Sequence, residues 1–290
     1  MFLNQCKTAL LLGMLSSLLF LFGYLIGGSN GIAVALAMAL IMNFITYFYS
    51  DKIVLAMYRA KPLDEQKHKN IYDMVEDLCY TARTPMPKLW YIATPMANAF
   101  ATGRNPKHAS VAVTQGILDI LDEDELRGVL AHEISHITNR DILVGTIAAT
   151  MATAIGYLAH MLQWSMIFGG SSRDDRDNGG GILGALVAIV VMPLVATLIQ
   201  LGISRSREYL ADESGAKCSQ DPLSLASALE KLDSVARADR AVPHSPAESS
   251  IASLFIVYPF TGKSVMNLFS THPPMEKRIE RLRKMAMPRR

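Results

Sequence analysis

Four blocks of apolar residues restrict the folds open to this chain more than any other feature. Thr8 to Ile26 and Gly31 to Tyr49 carry no charge, and Ile142 to Phe168 and Ile182 to Ile203 form a second such pair. At 1.5 Å of rise per residue, each of the first two makes a helix of roughly 28–30 Å, the thickness of a bilayer core. Only Gly27-Gly28-Ser29-Asn30 separates them, so they read as a helical hairpin through a membrane. The blocks also account for the composition, with 50% of 290 residues hydrophobic and 19% charged, against roughly 25% charged in average domains.

Lys7 ahead of the first block is the beginning of a signal-peptide pattern. The apolar run exceeds the usual h-region and no A-x-A site follows, so an uncleaved anchor is expected. In the second pair, His160 and Gln163 lie in one block and Pro193 and Gln200 in the other, which keeps a buried soluble hairpin open as the alternative. Pro193 removes a backbone bond and is expected to kink its helix, which membrane spans tolerate when neighbours cover the gap. His160 reads as a buried or interfacial hydrogen-bonder rather than a second metal ligand. Residues 169–181 form a Gly-, Ser- and Asp-rich loop.

The expected organisation is a transmembrane hairpin over residues 1–50, a polar segment over 51–141, a second hairpin over 142–203 and a polar tail over 204–290. Lys and Arg concentrate in the two polar segments, with Arg140, Arg205 and Arg207 flanking the spans. The positive-inside rule then places both termini and both polar segments in the cytoplasm, a reducing compartment that suits free Cys79 and Cys218. Three scattered cysteines exclude a disulfide scaffold. A net charge of +2, without a basic stripe interleaved with aromatics, excludes nucleic acid as a partner.

Within the polar segments, Ile71, Met74, Val75 and Leu78 recur at helical spacing, predicting a helix over 64–81. Residues 89–93, 97–101 and 110–114 read as short strands of a small sheet. Asp122, with Glu125 three residues on, predicts a capped helix that continues through Leu126, Val129, Leu130 and Ile137. Residues 204–218 are expected to be helical. Asp221-Pro222 opens another helix to about Arg237, residues 238–249 read as a loop, and 275–285 as a charged final helix.

The capped helix holds His132-Glu133-Ile134-Ser135-His136, an H-E-x-x-H pattern. Residues four apart share a helix face, so both imidazoles reach one ion. Glu133 stands beside the first ligand as a base for the attacking water. Catalytic zinc usually takes three protein ligands, and no third histidine follows at the spacing of a metzincin. Glu208 is the best candidate for the third, with Asp212 one turn further on, placed to accept the second N–H of a ligand imidazole. The competing account is that both acids merely pair with the surrounding arginines. A membrane hairpin between His136 and Glu208 returns the chain to the side it left, which brings the two ligand sources together.

Three motifs in order, His132-Glu-Ile-Ser-His136, Ser204-Arg-Ser-Arg-Glu-Tyr-Leu-Ala-Asp-Glu-Ser-Gly-Ala216 and Ser270-Thr-His-Pro-Pro274, closely resemble the HtpX family. These are bacterial membrane-bound zinc endopeptidases related to the CAAX prenyl proteases. The resemblance covers nearly the whole chain and implies an α+β, mainly α fold: four transmembrane helices and a cytoplasmic gluzincin-type metallopeptidase domain with a small β-sheet. It implies one Zn2+ per chain held by His132, His136 and Glu208, Glu133 as general base, and Asp212 supporting a ligand. Asn98-Ala99-Phe100 matches the family's edge strand, which pairs with the substrate backbone, although Asn98 also suits a turn after Pro95. His272 and Arg278 fall where the family places groups that bind or stabilise the tetrahedral intermediate.

The expected function is hydrolysis of peptide bonds in misfolded or damaged membrane proteins, a quality-control and stress role at the bacterial inner membrane. The partners are those substrates, the lipid bilayer, and the chain itself if it cleaves its own copies. A CAAX-type prenyl-protein protease and a non-catalytic metal-binding membrane scaffold are the rivals. The presence of Glu133 beside His132 disfavours the scaffold. A transporter would need polar groups converging at mid-membrane, and only His160 and Gln163 offer any.

Overall fold

The computed structural model describes residues 2–168, 187–239 and 272–287. The expected loops over 169–181 and 240–249, residues 182–186 of the fourth apolar block and Ser270-Thr271 of the last motif lie outside the described residues. The chain divides into two compact units. The first comprises Met1–Gln5, Tyr47–Leu143 and Ser204–Arg290, the second Cys6–Thr46 and Val144–Ile203.

The second unit is helical. Helix α1 (Phe2–Met57) is two helices merged across a kink at Gly28, whose φ of 57° and ψ of −154° belong to a region only glycine occupies cheaply. Leu15, Leu19 and Phe22 before the kink share one buried cluster with Ala35 and Ala39 after it, so the two arms pack as a hairpin. Ala154, Ile155 and Leu158 of α5 (Asp141–Phe168) and Ala196 and Ile199 of α6 (Met192–Ser219) complete that core. Small residues inside and large apolar ones outside, such as Leu10, Phe20, Leu21 and Tyr24, suit a lipid surround. Among the described residues, Leu3–Ile26, Asp141–Trp164 and Ala188–Ser219 are long and apolar enough to cross a membrane, and Gly28–Ile41 is a shorter apolar stretch. A π-turn over Val187–Val191 directly precedes Pro193, an irregularity that accommodates the missing N–H. His160 lies on an exposed face, so of the two expected placements it is not the buried one. Helix α6 runs unbroken through Ser204, so the division between the two units falls within one helix.

The first unit is α+β. Its sheet has the order β1-β2-β4-β3, from β1 (Lys61–Pro62), β2 (Lys88–Ile92), β3 (Ala99–Gly103) and β4 (Ala109–Thr114). Strands β2 and β4 run parallel, while β1 and β3 are antiparallel edges. Helices α2 (Lys69–Ala82), α3 (Gln115–Ile120), α4 (Glu123–Thr138), α7 (Pro222–Asp239) and α8 (Met275–Ala286) surround it. Helix α4 is central, packing on β3, α2 and α7, with α8 seated on α7. Its Val129, Leu130 and Ile134 are fully buried, in one core with Val75 and Leu78 of α2 and Leu225 and Leu229 of α7. Helix α2 starts at Lys69 rather than near Asp64, because the Asp64 carboxylate accepts from the Gln66 and Lys67 N–H groups in a local turn that competes with helix initiation.

Candidate metal centre and active site

Helix α4 is fixed at its start by the expected capping box. Asp122 Oδ1 accepts from Glu125 N at 2.9 Å, and Glu125 Oε2 accepts from Asp122 N at 3.1 Å. Glu125 is itself buried and receives Lys231 Nζ and Ser227 Oγ from α7, each at 2.6 Å. Two and a half turns further on, His132 and His136 project from one face with their Nε2 atoms 3.2 Å apart. Glu208 of α6 brings Oε2 to 3.7 Å from His132 Nε2 and Oε1 to 3.6 Å from His136 Nε2. Bonds of about 2.0–2.2 Å at tetrahedral angles separate ligand atoms by about 3.3–3.5 Å, so three donors of the right type already mark three corners of such a site.

Close helix packing makes this convergence possible. A Cβ built on Gly215 would stand 2.9 Å from both the Cα and the N of His132. Only a residue without a side chain lets α6 approach α4 this closely, and the approach brings Glu208 and Asp212 up to the imidazoles.

Each imidazole is backed by a carboxylate on its other nitrogen. Asp212 Oδ1 lies 3.1 Å from His132 Nδ1, and Asp141 Oδ2 lies 2.7 Å from His136 Nδ1. This second contact fixes the tautomer that leaves Nε2 free to bind a cation. Arg278, wholly buried, clamps Asp212 with Nε at 2.8 Å and Nη2 at 2.6 Å, and its Nη1 stands 3.3 Å from Glu208 Oε2. Its Nη2 is also 3.3 Å from His132 Nε2. Burial works against the guanidinium charge, but Asp212 and Glu208 outweigh it and hold the group protonated. His272 approaches the same carboxylate, with Nδ1 3.1 Å from Glu208 Oε2. The arginine that pairs with Asp212 is therefore the distant Arg278, not one of the neighbours in the Ser204–Asp212 motif.

The surplus of carboxylates makes the centre attractive to cations. Burial pushes the His136 imidazole down, but the Asp141 hydrogen bond and the Glu208, Asp141 and Glu133 charges raise it to about 9. A nitrogen that basic is a strong donor, and in the absence of a metal it takes a proton instead. Two imidazoles and a carboxylate in this geometry form the group of described residues that fits a metal ion.

Glu133 faces the sheet. Its Oε2 accepts from Ala101 N at 2.7 Å, and burial raises its carboxyl above the usual range while the two histidines pull the other way. Asn98 is buried, donating its N–H to Thr114 Oγ1 and accepting from Thr114 N through its carbonyl. It therefore extends the β3–β4 pairing rather than forming a turn. That register points the N–H and C=O groups of Ala99, Ala101 and Gly103 outward from the sheet edge. Ala99 is fully buried, and Phe100 packs with Leu55, Ile92 and Ala112 on the far face. The base and an edge strand with outward backbone groups thus share one location.

Asp141 and Arg207 escape a reading of the sequence for the site. Asp141 stands five residues beyond His136, a spacing that a continuous helix would turn away. Arg207 counts there only as a charge flanking a span, whereas in the structure it is buried against Asp141 and donates Nη2 to Asn139 O at 2.7 Å. An acid closely following an H-E-x-x-H helix is the available signal for the first of them.

Comparison with known proteins agrees with this geometry. The model of peptidase family M48 matches residues 65–286. A protein described as Protease HtpX homolog from Syntrophobacter fumaroxidans is 54% identical over 283 residues, covering 97% of this chain and 99% of its own length. Another of that description from Thermococcus kodakarensis is 51% identical over 280 residues, 97% and 95% of the two chains. The crystal structure of S. mikatae Ste24p shares the fold with a TM-score of 0.59 at 18% identity, over 97% of this chain and 66% of that one. With its apolar helices, its His-His-Glu cluster and relatives this similar along its length, the chain belongs to peptidase family M48 as an HtpX-type membrane metalloprotease.

Proposed function

We propose that this protein is a zinc endopeptidase that cleaves misfolded or damaged membrane proteins at the cytoplasmic face of the plasma membrane. The observation that carries the reading is the placement of Glu133. Its carboxylate is adjacent in sequence to one ligand imidazole, is buried, and is tied to the outward N–H of Ala101 on an edge strand. An extended substrate adding to that edge is held by main-chain bonds at Ala101, the least buried residue of β3, through groups other than the N–H that Glu133 holds. Affinity then comes from the backbone with little demand on side chains, as a quality-control protease needs.

Two imidazoles and one carboxylate favour zinc among divalent ions. A cation held by His132, His136 and Glu208 supplies Lewis-acid polarisation of the scissile carbonyl and makes a water nucleophilic near neutral pH. Glu133 takes the proton of the attacking water and returns one to the leaving amine. The Ala101 N–H keeps the carboxylate turned toward the substrate edge. His272 and Arg278 both stand against Glu208 Oε2; His272 supplies an N–H donor for the oxyanion, and the buried Arg278 adds positive charge behind it. Asp212 holds His132 in the tautomer that leaves Nε2 free to bind.

The concentration of Lys and Arg in the polar segments supports the cytoplasmic orientation, and the resemblance to the HtpX family supports quality control under stress, with self-cleavage as a further reaction. Replacing Glu133 with Gln tests the mechanism in the detergent-solubilised protein. Zinc content should remain at one per chain while cleavage of an unfolded membrane protein falls by about 10²–10⁴-fold. Undiminished cleavage would remove Glu133 as the base. Cleavage confined to lipidated peptides would favour the prenyl-protein alternative.

A further inference from the structure

The turn from α4 into α5 resets the helical phase at one left-handed residue. Arg140 has a φ of 55°, in the left-handed region that residues with a Cβ avoid. On a continuous helix, Asp141 would project about 140° away from His136. The reversal at Asn139-Arg140 instead returns the Asp141 carboxylate to 2.7 Å from His136 Nδ1. Arg59, Arg83 and Gln220 take the same conformation near helix ends, so what sets this turn apart is the carboxylate contact it makes.

The other oxygen of the same carboxylate receives the Arg207 guanidinium through both Nε and Nη2. Both side chains are buried. Arg207 also donates to Asn139 O, the carbonyl at the end of α4, and the next residue along α6 is the ligand Glu208. The carboxylate therefore ties an imidazole of α4 to the residue beside the carboxylate ligand of α6, with the end of α4 held by the same arginine.

We propose that Asp141 and Arg207 are positioning residues of the metal centre: together they fix the tautomer and direction of His136 and set the register of Glu208 against it. This rests on the metal-site reading above. Neither residue touches the substrate in this account, and they act through the two ligands they hold. The device matches the Asp212–Arg278 pair behind His132 but is built from different elements.

The test is apparent zinc affinity, measured by titrating the metal-stripped, detergent-solubilised full chain against a chromophoric chelator, alongside the unfolding midpoint of the metal-free protein. Asp141→Asn is expected to weaken zinc by about 10- to 100-fold. Because that change leaves Arg207 buried without a counter-charge, the double variant Asp141→Asn/Arg207→Gln removes both charges. It is expected to unfold near the wild-type midpoint and still to bind zinc at least about tenfold more weakly. A folded double variant with wild-type zinc affinity would overturn the proposal. His136→Ala separates the two readings. It must cost more affinity than either variant, and if it costs none, the metal centre itself falls and the positioning role with it.

Discussion

The two sides of the metal centre apply one chemical device to different degrees. On the His132 side, the imidazole is 2% exposed and Asp212 is clamped by two nitrogens of an arginine that is wholly buried. On the His136 side, the imidazole side chain is 16% exposed, and Asp141 is shared between the ring and Arg207. The first support comes from α6 and α8, elements that meet only through tertiary packing. The second comes from a local chain reversal immediately after α4. The difference teaches that an H-E-x-x-H helix supplies two nitrogens on one face but not their orientation. Orientation is added separately to each ring, by whichever carboxylate and cation the surrounding chain brings near.

The largest effect that can break this comparison is expected at Arg278. Arg278→Ala takes from Asp212 and Glu208 the guanidinium they share and leaves them only the neighbouring imidazoles, and losing one partner of a buried ion pair costs about 3–5 kcal/mol. Arg207→Ala removes one charge from a single carboxylate and is expected to cost less. Unfolding of the metal-free protein in detergent measures both, and the reverse order would show that the His136 side is the more tightly supported. A smaller effect is expected at two glycines. Gly215→Ala sets a methyl 2.9 Å from the His132 backbone, and Gly128→Ala sets one 2.9 Å from Leu225 N. Overpacking of this kind costs about 1–3 kcal/mol. Both should therefore lower the unfolding midpoint, but only Gly215→Ala should also weaken zinc, because only it displaces a ligand. Equal zinc affinity in the two variants would detach the α4–α6 approach from the geometry of the centre.

What the sequence makes legible divides along the same line. The α4 helix, its capping box and the imidazole pair are local patterns, fixed by residues three and four apart. Asp212 is legible for the same reason, lying one turn beyond Glu208. Asp141 is not, because left-handed Arg140 resets the helical phase and five residues no longer mean a rotation away. Arg278 sits in a segment whose charge suggests a solvated helix, yet Met275, Arg278 and Leu282 fall on one buried stripe, so the phase carries a signal that composition hides. Strand β1 is two residues long and leaves no periodicity to read. Strand β3 begins two residues later than the apolar run suggests, since Asn98 pairs with Thr114 without belonging to the strand proper. The apolar blocks are legible as helices from hydropathy, but which side chains turn inward depends on small residues such as Ala35, Ala154 and Ala196, whose role appears only with their partners.

The smallest expected effect is at Asp122, which acts on both sides of the centre alike because α4 carries both imidazoles. Its carboxylate is held below the usual range, first by the Glu125 backbone N–H it accepts and then by Lys231 and the Glu125 side chain, against the opposing effect of burial. A carboxyl whose folded pKa is depressed contributes stability that is complete above its unfolded value and is lost as pH falls through the folded one. Asp122→Ala should therefore lower the unfolding midpoint at neutral pH, and the gap from wild type should close as the pH drops below the ordinary carboxylate range. Asp122→Asn keeps an oxygen for the Glu125 N–H and removes the charge, so its midpoint should lie between the two and vary less with pH. Zinc affinity should not change in either variant, since fraying at a helix start stays within the first turn and His132 lies beyond it. A gap that persists undiminished in acid would mean that packing rather than the ionised cap anchors α4, and a loss of zinc affinity would mean that the two imidazoles depend on the helix start as much as on the carboxylates behind them.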